Sequence, residues 1–264
     1  MGKKQRNYMT FRRPRTRAVR ALNNIYVVTT LTINALTDVK NQLRSEKGAK
    51  LNFEVPVVSG ERIVVPRQRT KILQLLDNAI ARDLYRQSLI TAVATTEDYL
   101  TQILTIILRW FPHKLKLAVT GSQTERKIDL DLVLEAQKMD DLFARIIERR
   151  LISVFYGSPQ RYFDYIQSVL AFELSDEVKI SYAEVKATRD LLVHNSGIVN
   201  QVYLKKAGSR ARVPEGETIP LDDQYFSESI RCMKRVVTKV YSGCLDKYGD
   251  INPTQATNPE QKAA

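Results

Sequence analysis

The sequence is poor in the residues that do most redox, metal and nucleophilic chemistry. Its 264 residues hold two cysteines and two histidines. Cys232 and Cys244 cannot build a disulfide framework or a Cys-rich zinc site, and a reducing cytoplasm is the expected compartment. Any histidine chemistry must use His113 or His194. Long apolar runs are also missing. The stretch Ile103–Leu108, interrupted by Thr105, falls far short of the ~20 residues that a bilayer-spanning helix needs, so no membrane contact is expected. The N-terminus, MGKKQRNYMTFRRPRTR, is basic with no apolar stretch behind it, unlike a secretory signal. No GxxxxGK[ST], HExxH or acidic metal cluster appears, which argues against a P-loop NTPase or a metalloprotease. No cofactor and no metal is expected.

What is present is enough for a core and an excess of positive charge. Hydrophobic residues make up 44% and charged residues 27%, so most of the chain should fold. The formal net charge is +12. Residues 1–20 hold Lys3, Lys4, Arg6, Arg12, Arg13, Arg15, Arg17 and Arg20 and no acid, which is eight of those twelve charges. A second cluster, Lys205, Lys206, Arg210 and Arg212, falls in KKAGSRAR, which reads as a loop. Both clusters would attract polyanions, because phosphates neutralised by Lys and Arg release counterions. The plainer alternative is a solubilising tail and a solvated loop.

Residues 1–17 read as a mobile arm, and about 17–46 as a helix. Residues 47–70, with Gly48, Pro56, Gly60 and Pro66 around FEVPVV and RIVVP, read as a hairpin or irregular connector. From 70 to 111 apolar residues recur at three- and four-residue steps. That predicts one long helix or two joined by a kink, ended by Pro112. Residues 113–128 read as a loop with a short extended KLKLAV, and 129–150 as helical. Ser158-Pro159 marks a helix start. A helix over 177–195 stops at Asn195-Ser196-Gly197. Asp222 or Asp223 caps a last helix running to about Tyr248. The expected fold is all-α: an antiparallel helical bundle over 71–249. Residues 1–70 form a basic arm with a helical or irregular extension, and 250–264 a polar tail.

Chemistry concentrates at one helix end, in Tyr182-Ala-Glu-Val-Lys-Ala-Thr-Arg189-Asp190-Leu-Leu-Val-His194-Asn195-Ser-Gly197. Asp190 and His194 are one turn apart on one face. Arg189 and His194 are about 140° apart around the helix, close enough for a long arginine to meet a common anion. The residue types suit phosphodiester chemistry. An imidazole can move a proton near neutral pH, a guanidinium can fork onto phosphate, and Asp190 can orient either. Spacing alone is weak. An arginine paired with an acid and a histidine at its helix end would look the same.

The segment ATRDLLVHNSGIVNQVYL resembles the signature of the HEPN superfamily: an arginine, a polar residue directly after it, and a histidine four to six residues on. Asn195, Gly197, Asn200 and Tyr203 resemble the extended HN-x-G-x-x-N-x-x-Y form of the RiboL-PSP type. The likeness takes in ITAVATTEDYL, YGSPQRYFDYIQSVL and IPLDDQYFSESI, covering about residues 72–249. It implies an α-helical domain and metal-independent RNA cleavage by attack of the 2′-hydroxyl, leaving a 2′,3′-cyclic phosphate. Carried over, His194 would move the proton, Arg189 would bind the scissile phosphate, and Asp190 would support both. Asn195 and Tyr203 would position or contact substrate. By charge, independently of the resemblance, the N-terminal basic residues and Lys205, Lys206, Arg210 and Arg212 would draw RNA toward the cleft. The chain offers one histidine at this site, whereas in-line transfer uses a base and an acid. A C₂ homodimer with a composite site is therefore expected, with RNA as substrate and a toxin, defence or stress-response setting. An antitoxin or regulatory protein would be a further partner. Some HEPN toxins carry a Tyr two residues after the His, which a nucleotidyltransferase modifies. Ser196 stands there in this chain, so that control is not implied. The alternative function is a non-catalytic HEPN module that binds RNA or a protein.

Among the remaining candidates, His113 reads as structural or surface. Glu97 reads as exposed or as a helix-pair contact, with partnership to Arg189 as the alternative. Glu184 reads as structural, with an active-site role as its alternative, and the two cysteines read as packing residues.

Overall fold

The computed structural model describes residues 2–46, 48–117, 130–136, 138–155 and 159–252. It is 76% helix and 7% strand, an all-α fold. Among the described residues no helix is long and apolar enough to cross a membrane.

The largest correction concerns the N-terminus. The expected mobile arm is the start of α1, a helix over Gly2–Ser45 with Pro14 inside it. Phe11, Ala18 and Leu22 are buried in the main core. Their spacing of seven and four residues puts them on one face. Phe11 packs edge-on against Trp110, with ring centroids 5.4 Å apart. Arg15 lies over the Tyr241 ring, and Asn7 donates to the carbonyl of Tyr248. Arg12, Arg13, Arg17 and Arg20 are therefore exposed on a helix docked to the core, and Arg15 is half-buried.

The connector is an antiparallel hairpin, β1 (Lys50–Pro56) paired with β2 (Arg62–Gln68). The long helical stretch is continuous but not uniform. A π-helical turn, Ala79–Asp83, joins α2 (Arg69–Asn78) to α3 (Leu84–Trp110). Pro112–Lys116 forms a 3₁₀ turn rather than extended chain. Residues 118–128 of the predicted loop lie outside the described residues, as do Ser158 and residues 253–264. Then come α4 (Leu130–Glu135), α5 (Met139–Phe155), α6 (Pro159–Leu170), α7 (Asp176–His194), α8 (Gln201–Ala207) and α9 (Asp223–Tyr248). Asp222 caps α9, its Oδ1 accepting from the Tyr225 N–H at 2.8 Å.

The bundle is organised around α3 and α9. α1 runs antiparallel to both: Thr29 donates to Ser88, and Tyr26 stacks on Phe226 near the start of α9. α7 packs on the same pair. The α3 residues that meet α1, Ser88 and Trp110, lie about 200° around the helix from Arg86 and Glu97, which meet α7. α1 and α7 thus occupy opposite sides of the α3/α9 pair.

Tyr99, Tyr162 and Tyr182 are fully enclosed. Burial pushes their phenols well above the ordinary value of 10.0. The unfolded chain would ionise them near that value while the folded chain keeps the protons. Their contribution to stability is therefore complete below about pH 10 and is lost as pH rises beyond it. Phenolate absorbance is expected to rise together with loss of helix in an alkaline titration. Full ionisation with intact helix would contradict this. Burial likewise pushes the thiols of Cys232 and Cys244 up to about 12, in keeping with packing residues.

Candidate functional site

The signature segment is first of all a helix end. α7 starts after Ser175, with Asp176 and Glu177 in its first turn, where acids complement the helix dipole. At its other end the Leu191 carbonyl accepts from the N–H of Asn195 at 2.9 Å and of Gly197 at 3.2 Å. This closure needs left-handed backbone at Ser196 (φ 54°) and Gly197 (φ 84°). Asn200 then caps α8, its Oδ1 accepting from the Tyr203 N–H at 2.9 Å. The Asn-Ser-Gly to Asn-x-x-Tyr pattern thus writes one C-cap and one N-cap. A Cβ on Gly197 would sit 3.3 Å from Leu192 Cδ2. Gly197→Ala is therefore expected to cost roughly 1–2 kcal/mol, read as a lower urea midpoint at unchanged slope.

This end of α7 lines an open cleft of about 700 Å³ shared with α3 and α8. Arg189, Asp190, His194 and Asn195 all face it. His194 is exposed and, among the described residues, has no hydrogen bond or ion pair. Arg189 is held between two carboxylates, Glu97 Oε2 at 2.5 Å and Asp190 Oδ1 at 3.0 Å. Its buried Nε has no partner among the described residues. Asp190 also takes Lys206 Nζ at 2.9 Å, and Glu97 also takes Lys186. Lys186 is 3% exposed and lies over the Tyr162 ring, so Glu97 is its necessary counter-ion. The cleft carries three cations (Lys186, Arg189, Lys206) against two carboxylates (Glu97, Asp190). That leaves one positive charge in excess with His194 neutral.

Beneath the cleft lies a second, enclosed cluster. Glu184, 6% exposed, accepts from Thr188 Oγ1 at 2.8 Å, Arg212 Nε at 3.0 Å, Tyr225 OH at 2.9 Å and Tyr203 OH at 3.1 Å. The Arg212 guanidinium stacks over Tyr225 at 3.5 Å from the ring centroid and donates to the Pro220 carbonyl. Burial opposes the Arg212 charge, yet Tyr225 and Glu184 outweigh it and raise its pKa. Burial, then the Glu184 charge, push the Tyr225 and Tyr203 phenols up. The cluster ties α7 to α8, α9 and the segment between them.

The second basic cluster is not the expected loop. Lys205 and Lys206 are in the last turn of α8, and Arg210 is in a 3₁₀ turn over Gly208–Arg210. Lys206 faces the main cleft; with Lys205 it also borders a separate pocket of about 190 Å³. Arg210 is exposed and borders neither. Arg212 is an inward-facing partner of Glu184 rather than the expected substrate contact, because its Nε, Nη1 and Nη2 donate to Glu184, the Pro220 carbonyl and Thr188. Tyr203 lines the cleft wall but is 2% exposed, and its hydroxyl is directed to Glu184, so it positions α8 rather than offering that hydroxyl to the cleft. Asn195 faces the cleft and donates Nδ2 to the Ile198 carbonyl at 2.5 Å.

Two residues at the site went unread in the sequence. Lys186 sits one turn before Arg189 and Asp190 on their face of α7, a cation in an otherwise enclosed stretch. Arg86 donates to the Leu192 carbonyl, placing a cation at the negative end of α7. Its signal lies in three dimensions only. Comparison with protein-family models, curated proteins and solved structures finds no match.

Proposed function

We propose that this cleft cleaves RNA without a metal ion. The observation that carries the reading is that Arg189 and His194 line one open cleft, with His194 solvent-accessible and Arg189 flanked by Asp190 and Lys206. A phosphate entering it would exchange with a carboxylate on Arg189 and give the unpartnered Nε–H an acceptor. His194 would take the 2′-hydroxyl proton as the O2′–P bond forms. The P–O5′ bond then breaks, and the 5′-oxygen receives a proton from an acid, leaving a 2′,3′-cyclic phosphate and a 5′-hydroxyl. A second copy would supply that acid as its own His194. Arg189 would stabilise the charge developing on the non-bridging oxygens. Defence, toxin or stress response is the setting that the HEPN resemblance suggests.

The expected recruitment of RNA by the N-terminal basic residues is dropped, since α1 lies on the far side of α3 and α9 from the cleft. Lys206 and Lys205 are the nearer capture groups. The test is incubation of the full chain with total RNA and with tRNA in EDTA, followed by end-group analysis. Products ending in 2′,3′-cyclic phosphate support the reading; no cleavage, or cleavage only with divalent metal, refutes it. One observation favours a second reading, a non-catalytic RNA- or protein-binding module. Both terminal nitrogens of Arg189 are already paired, with Glu97 and Asp190. Tight RNA binding without cleavage would select it.

A further inference from the structure

The outward face of α1 has a composition unlike a solvated helix surface. Residues 21–37 carry no charged side chain, on a helix whose inner face is buried through Phe11, Leu22 and Thr29. Val27, Val28 and Leu31 are 52%, 61% and 62% exposed. Arg20, Asn24, Asn34 and Asp38 are exposed as well. The stripe Arg20, Asn24, Val27, Leu31, Asn34, Asp38 advances in alternating steps of four and three residues, which is the seam of an antiparallel helix pair.

That stripe is symmetric about position 29. We infer that α1 pairs with α1 of a second copy, antiparallel, across a two-fold axis level with Thr29. Val27 then meets the partner's Leu31 and Leu31 the partner's Val27 at the centre. Asn24 meets the partner's Asn34, amide to amide. Arg20 meets the partner's Asp38 at each end. Among the described residues neither Arg20 nor Asp38 has an ion-pair partner within its own chain, so both are free for this contact. An uncharged centre is what lets a +12 chain meet its own copy without like-charge repulsion. The seam spans about 27 Å of helix. It is separate from the cleft, on the other side of α3 and α9, so it does not bring two clefts together, and a composite cleft would take a second, independent contact between copies.

The test is sedimentation equilibrium of the full chain, with helix content followed by circular dichroism. A concentration-dependent dimer is expected. Leu31→Glu, at an exposed position, should leave helix content unchanged and weaken the dimer about 100-fold or more, since each dimer loses two apolar contacts. Arg20→Asp and Asp38→Arg should each weaken it, and the combined variant should restore it. For register, the double variant Asn24→Cys/Asn34→Cys should oxidise to a covalent dimer while neither single variant does. A monomer at all concentrations, a dimer indifferent to Leu31→Glu, or cross-linking by a single variant would overturn the inference. So would a chain that stays monomeric and loses RNA binding when Arg20 is replaced, which would make this face a polyanion site.

Discussion

Glu184→Ala should be the most destabilising single substitution in the site region. One carboxylate there satisfies Thr188, Tyr203, Tyr225 and Arg212 together. Its removal strands a guanidinium that is only 20% exposed and leaves hydroxyl donors without acceptors. Breaking a buried charge pair from one side costs roughly 3–5 kcal/mol, a large part of a domain's net stability of about 5–15 kcal/mol. Glu184→Gln keeps the shape and one acceptor oxygen, so its loss should fall between that of alanine and wild type. Glu173→Ala, at an exposed position on the loop before α7, is the control, expected within about 0.5 kcal/mol. Urea unfolding of the three variants reads the series. A cost below about 1 kcal/mol for Glu184→Ala would mean that Arg212 finds solvent or another partner when freed, and that the cluster does not hold α7 to α8 and α9.

The same cluster shows where the sequence was legible and where it was not. Periodicity and punctuation are local, so the helix end at Asn195-Ser196-Gly197 could be read directly, and the cap at Asp222 and the hairpin between Gly48 and Pro66 each as one of two alternatives. So could the order of Arg189, Asp190 and His194 along one helix end. Partnership across elements could not. Arg212 looked like one of four surface cations in a polar loop, and only the approach of α7 and α9 turns it toward Glu184. Glu97 and Lys186 are 89 residues apart, and nothing in either segment names the other. The N-terminal arginines misled for a different reason. Their charge dominated the reading, yet the buried face of α1 rests on Phe11, Ala18 and Leu22, three side chains among many basic ones. A helix needs only a narrow apolar stripe to dock when two others form a groove for it. How the HEPN-like signature serves the fold is also visible only in three dimensions. Gly197, Asn200 and Tyr203 terminate one helix, start the next and join the Glu184 cluster, and Arg189, Asp190, His194 and Asn195 line the cleft.

His194→Ala should abolish RNA cleavage without touching stability. The imidazole is exposed and has no partner among the described residues, so the fold loses nothing when it goes. Removal of a residue that transfers a proton in the transition state typically costs about 10²–10⁴-fold in rate. Arg189→Ala should lose cleavage as well, by a different route, and should also leave a folded chain. Glu97 keeps Lys186, and Asp190 keeps Lys206, so no carboxylate in the cleft is left without a cation. Arg189→Lys separates charge from shape. It retains a cation but not the planar fork, and should recover RNA binding more than cleavage. Lys206→Ala should weaken RNA capture and flatten its salt dependence while sparing the chemical step. Single-turnover cleavage and filter binding on the four variants, each checked for thermal stability, distinguish these roles. If His194→Ala cleaves as fast as wild type, proton transfer does not occur at this helix end, and the cleft is left with anion binding by Arg189 and Lys206 as its chemistry.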